Sequence, residues 1–118
     1  MNVGIIGLGK VGINLVKRLS TFNAKIFGYD ISNKSKDNLK SFGVRFTSNI
    51  DQILTKSNII VLCASLSEKS KNIINKNNYK LIRRGSYLIN CARSNLMDQN
   101  IILKALEENI LKSIAIDL

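Results

Sequence analysis

Three glycines and one aspartate have the types and spacing that could hold a phosphate-bearing ligand. Gly7, Gly9 and Gly12 form a G-x-G-x-x-G sequence, and Asp30 lies further along the chain. In such a turn the first glycine permits a tight bend and the second lets the backbone approach a pyrophosphate. The third lets a helix pack closely against a strand. The N-terminus of that helix then offers free N–H groups and the positive end of its dipole to the phosphates.

The elements around these residues decide whether the motif is meaningful. An apolar run over residues 2–7 predicts a buried strand, and residues 11–22 predict a helix with Val11, Leu15, Val16 and Leu19 on one face. Residues 24–30 predict a second strand that ends at Asp30. This context favours a dinucleotide site over a glycine turn kept only for packing. A carboxylate at this point would accept hydrogen bonds from the ribose and repel a 2′-phosphate, so NAD is favoured over NADP.

Short apolar runs continue to alternate with amphipathic ones along the chain. Further strands are predicted over residues 44–48, 58–64, 85–92 and 111–117. Helices are predicted over residues 35–43, 49–57 and 97–109, with helical turns near residues 79–82. Asn49 and Asp98 are the expected N-caps, and Gly43 is the expected stop of its helix. The pattern predicts an α/β fold in one domain, residues 1–118: a doubly wound, Rossmann-type parallel sheet, order 3-2-1-4-5-6, with helices on both faces.

Candidate ligand-binding residues follow the ends of these predicted strands. In open α/β sheets, ligands bind outside the carboxyl ends of the strands where the strand order reverses. The residues placed there are Asp30, Cys63, Ala64, Ser65, Cys91, Ala92, Arg93 and Asp117. We therefore expect them to meet along one edge of the sheet.

The formal net charge of +10 leaves two interpretations open. A basic protein can attract nucleic acid or anionic ligands. The alternative is compositional bias, because Lys, Asn and Ile supply 46 of the 118 residues. The lysines are scattered, with only residues 76–84 locally dense, so composition is favoured and no nucleic-acid partner is expected.

Other features narrow the class of protein. No run approaches the ~18 apolar residues of a membrane span, and no basic segment precedes an apolar leader, so neither a membrane partner nor a signal peptide is expected. The two cysteines, Cys63 and Cys91, fit no metal spacing and are expected to be reduced in a cytoplasmic protein. The absence of histidine removes the commonest general acid and metal ligand from this chain. No metal site is expected.

Three segments together resemble the D-isomer-specific 2-hydroxyacid dehydrogenases. LINCARSNLMDQNIILKALEENILKSIAIDL, residues 88–118, follows the family pattern I-N-x-x-R-G, a helix, and A-x-x-L-D-V. GIIGLGKVG and SNIIVLCASLSEKSKNIIN, residues 4–12 and 57–75, match the glycine turn and a strand that leads into H-x-P-L-T-x-x-T. The resemblance covers essentially the whole chain. It implies an NAD-dependent oxidoreductase that transfers hydride between nicotinamide and a small 2-hydroxy or 2-oxo acid.

The resemblance also implies roles for individual residues. Those that would hold the pyrophosphate are Gly7, Gly9, Lys10, Val11 and Gly12. Arg93 matches the catalytic arginine that pairs with the substrate carboxylate, and Asp117 matches the acid that binds the nicotinamide carboxamide. A planar, permanently charged guanidinium suits a 2-oxo acid.

Three positions depart from the family pattern. Ser94 replaces a glycine, and Cys63 and Ser65 replace the histidine and proline of H-x-P. These changes are expected to reshape the cofactor-binding walls without abolishing binding.

The family's catalytic glutamate and histidine match positions outside this sequence, and so does its substrate domain. We therefore expect the 118-residue chain to be inactive alone, whether it is an excised piece, a truncated gene product or a natural module. The alternative function is that of a stand-alone, non-catalytic NAD-binding module. The apolar strand within residues 113–117 is expected to be buried on its faces but open along its outer edge, where it could pair with another copy. The alternative is a monomer in which the helix of residues 97–109 rearranges to cover that edge.

Overall fold

Six parallel strands form the sheet in the computed structural model, which describes residues 1–32 and 36–117. They are β1 (Asn2–Ile6), β2 (Lys25–Tyr29), β3 (Arg45–Phe46), β4 (Ile59–Leu62), β5 (Ser86–Asn90) and β6 (Leu111–Ile116). Their order is β3-β2-β1-β4-β5-β6. The doubly wound order predicted from the sequence is confirmed.

Four α-helices connect these strands within the described residues. They are α1 (Lys10–Leu19), α2 (Lys36–Leu39), α3 (Ile50–Lys56) and α4 (Gln99–Glu107). Short 3-10 turns cover Lys40–Phe42, Tyr79–Leu81 and Ser94–Leu96. Residue 35, the predicted start of the second helix, lies outside the described residues. No helix among the described residues is long and apolar enough to cross a membrane.

The predicted helix caps are confirmed. The Asn49 side chain accepts a hydrogen bond from the backbone N–H of Gln52 at 3.1 Å, and Asp98 accepts one from Asn100 at 3.1 Å. Gly43 ends its helical segment with φ of 76°, a left-handed conformation that suits glycine. Each cap satisfies backbone groups that a helix end leaves without an internal partner.

Helices cover both faces of the sheet and create two apolar clusters. On one face, Val16 of α1 packs in a cluster with Ile5 and Ile26. On the other face, Ile53 of α3 and Ala105 of α4 share a cluster with Leu88. This arrangement confirms the prediction of helices on both faces. It leaves the edges of the sheet, and not its faces, available for a binding site.

Three details differ from the sequence predictions. The first helix ends at Leu19 instead of residue 22. Val11 is 56% exposed because the first turn of α1 projects beyond the sheet. The last strand is not buried as predicted: Ile116 is 47% exposed and Ala115 is also exposed. The physical reason is its position at the edge of the sheet, where β5 is its only neighbouring strand among the described residues.

The strand register brings distant parts of the chain to one edge. Ile6 of β1 is paired with Leu62 of β4, Leu62 with Asn90 of β5, and Asn90 with Ile116 of β6. The residues that follow these four positions therefore lie side by side at the carboxyl edge. The order reverses between β1 and β4, which is where a ligand crevice opens in such sheets.

Candidate functional site

The glycine turn that follows β1 is closely packed. Gly7 has φ of 100°, and a Cβ placed there would lie 2.4 Å from the Cα of Ala64. A Cβ at Gly12 would lie 2.1 Å from the carbonyl oxygen of Gly7. Both positions thus exclude any larger side chain, because strand, turn and helix approach each other directly.

Gly9 has a different environment. It is the N-cap of α1 with an ordinary φ of −81°, and no described atom lies within 4 Å of the position of a Cβ. No side chain among the described residues caps this helix, so the N–H groups of its first turn remain available. Packing therefore gives no reason for a glycine at this position. Open space at the positive end of a helix fits the pyrophosphate of a dinucleotide.

Asp30 follows β2 and faces the same turn. Its carboxylate accepts hydrogen bonds from the backbone N–H of Leu8 at 2.5 Å and of Ser32 at 2.8 Å. These bonds fix the half-buried carboxylate beside the glycine turn, where its remaining lone pairs can accept hydrogen bonds from hydroxyl groups. This is the position that the sequence assigns to the ribose contact.

A cavity of about 410 Å³ joins these features. Its volume lies within the roughly 300–1,000 Å³ typical of small-molecule sites. The predicted residues that line it are Gly7, Gly9, Asp30, Cys63, Ala64 and Ser65. Lys10 and Val11 lie exposed in the adjoining first turn of α1, and Gly12 lies buried behind it.

Several other residues of this cavity were not predicted from the sequence. Ile31, Ser67, Lys69 and Ile73 also line it. Buried Ser70 donates a hydrogen bond to the carbonyl oxygen of Ser65 at 2.6 Å and accepts one from the N–H of Ser67 at 2.8 Å. Ser67 and Ser70 match the two threonines of the family pattern H-x-P-L-T-x-x-T, and this match could have identified them from the sequence. Lys69 carried no signal that distinguished it from the other scattered lysines.

A second cavity of about 550 Å³ lies at the ends of β5 and β6. Cys91, Ala92, Arg93 and Asp117, all predicted site residues, line it together. The structure therefore divides the predicted site into two groups along one sheet edge. An exposed guanidinium and a carboxylate share the second group, which can bind an anionic ligand and an amide.

Asn90 holds the backbone that presents Arg93. This fully buried side chain donates to the carbonyl oxygen of Arg93 at 3.0 Å and accepts from the N–H of Ala92 at 2.9 Å. Both ends of its amide are thus used on one loop. The asparagine of I-N-x-x-R-G was visible in the sequence, but its role as a loop anchor was not assigned.

The two cysteines end neighbouring strands, as predicted, and both are free. The pKa of the Cys63 thiol is raised from 9.0 to about 11, mainly by burial and to a smaller extent by the nearby Cys91. The Cys63 thiol is therefore protonated at neutral pH.

The model of the family "D-isomer specific 2-hydroxyacid dehydrogenase, NAD binding domain" matches residues 1–118. The chain belongs to this family. The match agrees with the glycine turn, the acid after β2 and the sheet order. It establishes NAD as the dinucleotide of the domain.

Individual members of the family are similar over nearly the whole chain. D-3-phosphoglycerate dehydrogenase of Methanocaldococcus jannaschii is 32% identical and glyoxylate reductase of Thermofilum pendens is 33% identical, each over 98% of this chain. A crystal structure of D-lactate dehydrogenase from Aquifex aeolicus, complexed with NAD and lactic acid, superposes with a TM-score of 0.92 at 27% identity. It covers 100% of this chain.

The chain is much shorter than these relatives. It spans 22% of the Methanocaldococcus jannaschii protein, 34% of the Thermofilum pendens protein and 34% of the Aquifex aeolicus chain. The similarity therefore concerns the NAD-binding domain of this family.

Proposed function

We propose that this chain forms the dinucleotide-binding part of an enzyme that transfers hydride between nicotinamide and a 2-hydroxy or 2-oxo acid. The observation that carries the proposal is the open space at Gly9, at the uncapped N-terminus of α1, beside the fixed carboxylate of Asp30. Family membership supports the same function, and the Aquifex aeolicus relative was crystallised with NAD and lactic acid.

In this proposal each group of residues has a separate task. The glycine turn and the first turn of α1, including Lys10 and Val11, bind the pyrophosphate through backbone N–H groups. Asp30 accepts hydrogen bonds from the adenosine ribose. Residues 63–65, 91 and 92 form walls of the cofactor cleft. When bound, NAD supplies the hydride chemistry.

Arg93 and Asp117 serve the reacting end of the cleft. Arg93 pairs with the carboxylate of the 2-oxo acid and polarises its keto group, since a guanidinium stays charged at any working pH. Asp117 accepts a hydrogen bond from the carboxamide. Asn90 positions Arg93 through the loop backbone.

Residues that shape the substrate pocket and supply the proton are proposed to come from a separate substrate domain, outside the dinucleotide-binding domain of residues 1–118. The zero count of histidine in this sequence supports that division, because histidine is the commonest general acid. The absence of histidine from this sequence also favours a second candidate function, that of a non-catalytic NAD-binding module.

Titration with NADH and NADPH by calorimetry tests the proposed site. We expect NADH to bind more tightly, because the Asp30 carboxylate repels a 2′-phosphate. Asp30→Asn removes the charge and leaves one acceptor oxygen, so one of the two backbone N–H bonds to this side chain is lost as well. It should weaken NADH binding at least about tenfold, as expected for a lost charged hydrogen bond. It should also narrow the difference between the two cofactors. Equal or tighter binding of NADPH by the unchanged chain would contradict the role of Asp30.

We also infer a reducing compartment such as the cytoplasm, which the two free cysteines support.

Self-association through the open edge of β6 is a separate proposal. The Asp117 N–H donates to the Asn90 carbonyl at 3.0 Å. In a regular ladder the backbone N–H of Ala115 therefore points toward β5 as well, whereas the backbone N–H groups of Ile114 and Ile116 point away from the sheet. Ile116→Pro would remove an outward donor and is expected to abolish a strand-paired dimer. Light scattering at high concentration checks this. A monomeric unchanged chain, or a dimer that survives Ile116→Pro, would contradict the proposal.

A further inference from the structure

Cys63 and Cys91 lie side by side at the carboxyl edge of the sheet. They follow Leu62 and Asn90, which are paired in register, and the Cys91 N–H donates to the Leu62 carbonyl at 3.0 Å. Adjacent strands lie about 4.8 Å apart. Disulfides need Cα atoms separated by roughly 4.4–6.8 Å. The backbone therefore places the two thiols within bonding reach.

The side chains also share one face of the sheet. Successive residues of a strand alternate between faces. Val61 and Ile89 belong to the cluster beneath α1, and Cys63 packs against that cluster as well. The hydrogen bond from the Cys91 N–H to Leu62 continues the ladder past the end of β5, so this alternation places Cys91 on the same side as Ile89. The two cysteines are thus in register, and their side chains lie on the same face of the sheet.

Their different exposure gives the two thiols different tasks. Cys91 is exposed, whereas Cys63 is half-buried and lines the cavity at the glycine turn. The raised pKa of Cys63 keeps its thiol protonated and slow to react with an external oxidant. An oxidant in solution therefore meets Cys91 first, with Cys63 beside it as the second thiol.

We propose that hydroperoxides oxidise Cys91 and Cys63 to a reversible disulfide that lowers the affinity of the domain for NAD. The Cys91 thiol gives up its proton and its sulfur attacks hydrogen peroxide. The O–O bond breaks, one oxygen stays on the sulfur as a sulfenic acid, and the other leaves with the thiol proton as one water. The Cys63 sulfur then attacks the Cys91 sulfur, an S–S bond forms, and the hydroxyl leaves as a second water with the thiol proton. The two thiols lose two electrons in total, and the peroxide gains them.

The link to the cofactor is the contact between residues 63–64 and the glycine turn. A Cβ at Gly7 would lie 2.7 Å from the carbonyl carbon of Cys63 and 2.4 Å from the backbone N of Ala64. A disulfide draws the two Cβ atoms to about 3.8 Å, closer than the strand spacing, so the end of β4 must move toward β5. That movement withdraws the backbone that supports the turn.

This coupling rests on the proposed cofactor site, whereas bond formation itself does not. A disulfide that forms against the strand spacing is readily reduced, as strained and exposed disulfides are. It therefore acts as a switch and not as a structural bridge. Linkage requires the reverse effect too, so bound NAD should shift the equilibrium between the disulfide and the two thiols toward the thiols.

Peptide mapping of the 118-residue chain tests bond formation. Reduced protein is treated with hydrogen peroxide, the remaining thiols are blocked with iodoacetamide, and the tryptic digest is analysed without reductant. We expect residues 57–69 linked to residues 85–93 in monomeric protein, with the loss of two hydrogens from the chain. Cys91→Ser should yield no linked peptide. Linkage only between chains, or sulfinic and sulfonic acids on Cys91 without linkage, would overturn the proposal.

Calorimetry with NADH tests the coupling on the same samples. We expect the Kd of the oxidised chain to rise about tenfold, a typical coupling between two sites, and to return after treatment with dithiothreitol. Peroxide should leave the Kd of Cys91→Ser at the value of the same untreated variant. A linked chain with unchanged Kd would overturn the coupling. If the reduced chain does not bind NADH, the proposed function and the coupling both fail, while the linked peptide still supports the disulfide.

Discussion

One acceptor beside the cleft and the loop that carries Arg93 are held by hydrogen bonds before a ligand binds. Asp30 is fixed by the N–H groups of Leu8 and Ser32, and Asn90 fixes the loop that carries Arg93. Such preorganisation reduces the entropy lost on binding.

Alkylation of Cys63 should show an unusual pH dependence. Its thiol pKa is raised to about 11, so the thiol stays protonated up to that pH. Below the pKa, the thiolate fraction rises roughly tenfold per pH unit. The rate of its modification by iodoacetamide, followed by mass spectrometry, should therefore keep rising between pH values of about 9 and 11.

Cys91 provides the internal comparison in that experiment. Because it is exposed, it should react faster than Cys63 at a pH of about 8. Saturating NAD should slow the modification of both. A Cys63 rate that levels off near the ordinary thiol pKa would show that burial does not control this residue.

The sequence predicted the glycine turn and Asp30 because the types and spacing of these residues follow from phosphate and ribose chemistry. Family motifs contain the positions of Ser70 and Asn90, but their roles were not assigned, because most of their hydrogen-bond partners are backbone groups that only the fold brings close. Lys69 was not predicted because its place at the cavity depends on the path of a loop.

At the scale of elements, the close approach of α1 to the glycine turn is the feature most sensitive to substitution. Gly12→Ala should destabilise the domain by about 1–3 kcal/mol, as overpacking of a tight contact usually does. The cause is the carbonyl oxygen of Gly7, which lies 2.1 Å from the new Cβ. Urea unfolding followed by circular dichroism measures the change.

Gly9→Ala is the matched control for that measurement. Its new Cβ meets no described atom within 4 Å, and its φ of −81° is ordinary for alanine. Its free energy of unfolding should stay within about 0.5 kcal/mol of the unchanged chain. Equal destabilisation by both substitutions would contradict the packing role of Gly12.

Elements were predictable where local signals and tertiary packing agree. Asn49, Asp98 and Gly43 marked helix ends correctly because their side chains or conformations act locally. The burial of β6 was wrong because an apolar sequence does not show whether a strand has neighbours on both sides. The strand ends were predicted too long for a related reason: the apolar run of residues 58–64 continues past Leu62 into the residues that line the cleft.

For the whole molecule, we expect no turnover by the 118-residue chain alone. General acid catalysis contributes about 10²–10⁴-fold and orientation contributes further, and the sequence contains no histidine to supply the proton. Loss of NADH absorbance in the presence of glyoxylate should match a protein-free blank. Turnover that Arg93→Ala abolishes would show that the described residues suffice for catalysis.

NADH binding by Gly9→Ala tests the central claim most directly, because packing gives no reason for glycine at this position. Calorimetry on the unchanged chain and on Gly9→Ala, at equal folding stability, separates ligand contact from fold. We predict measurable NADH binding by the unchanged chain and a Kd at least about tenfold higher for Gly9→Ala, since a methyl group blocks the approach of the pyrophosphate to the backbone. Equal affinity of the two proteins for NADH, or no binding by the unchanged chain, would contradict the dinucleotide site.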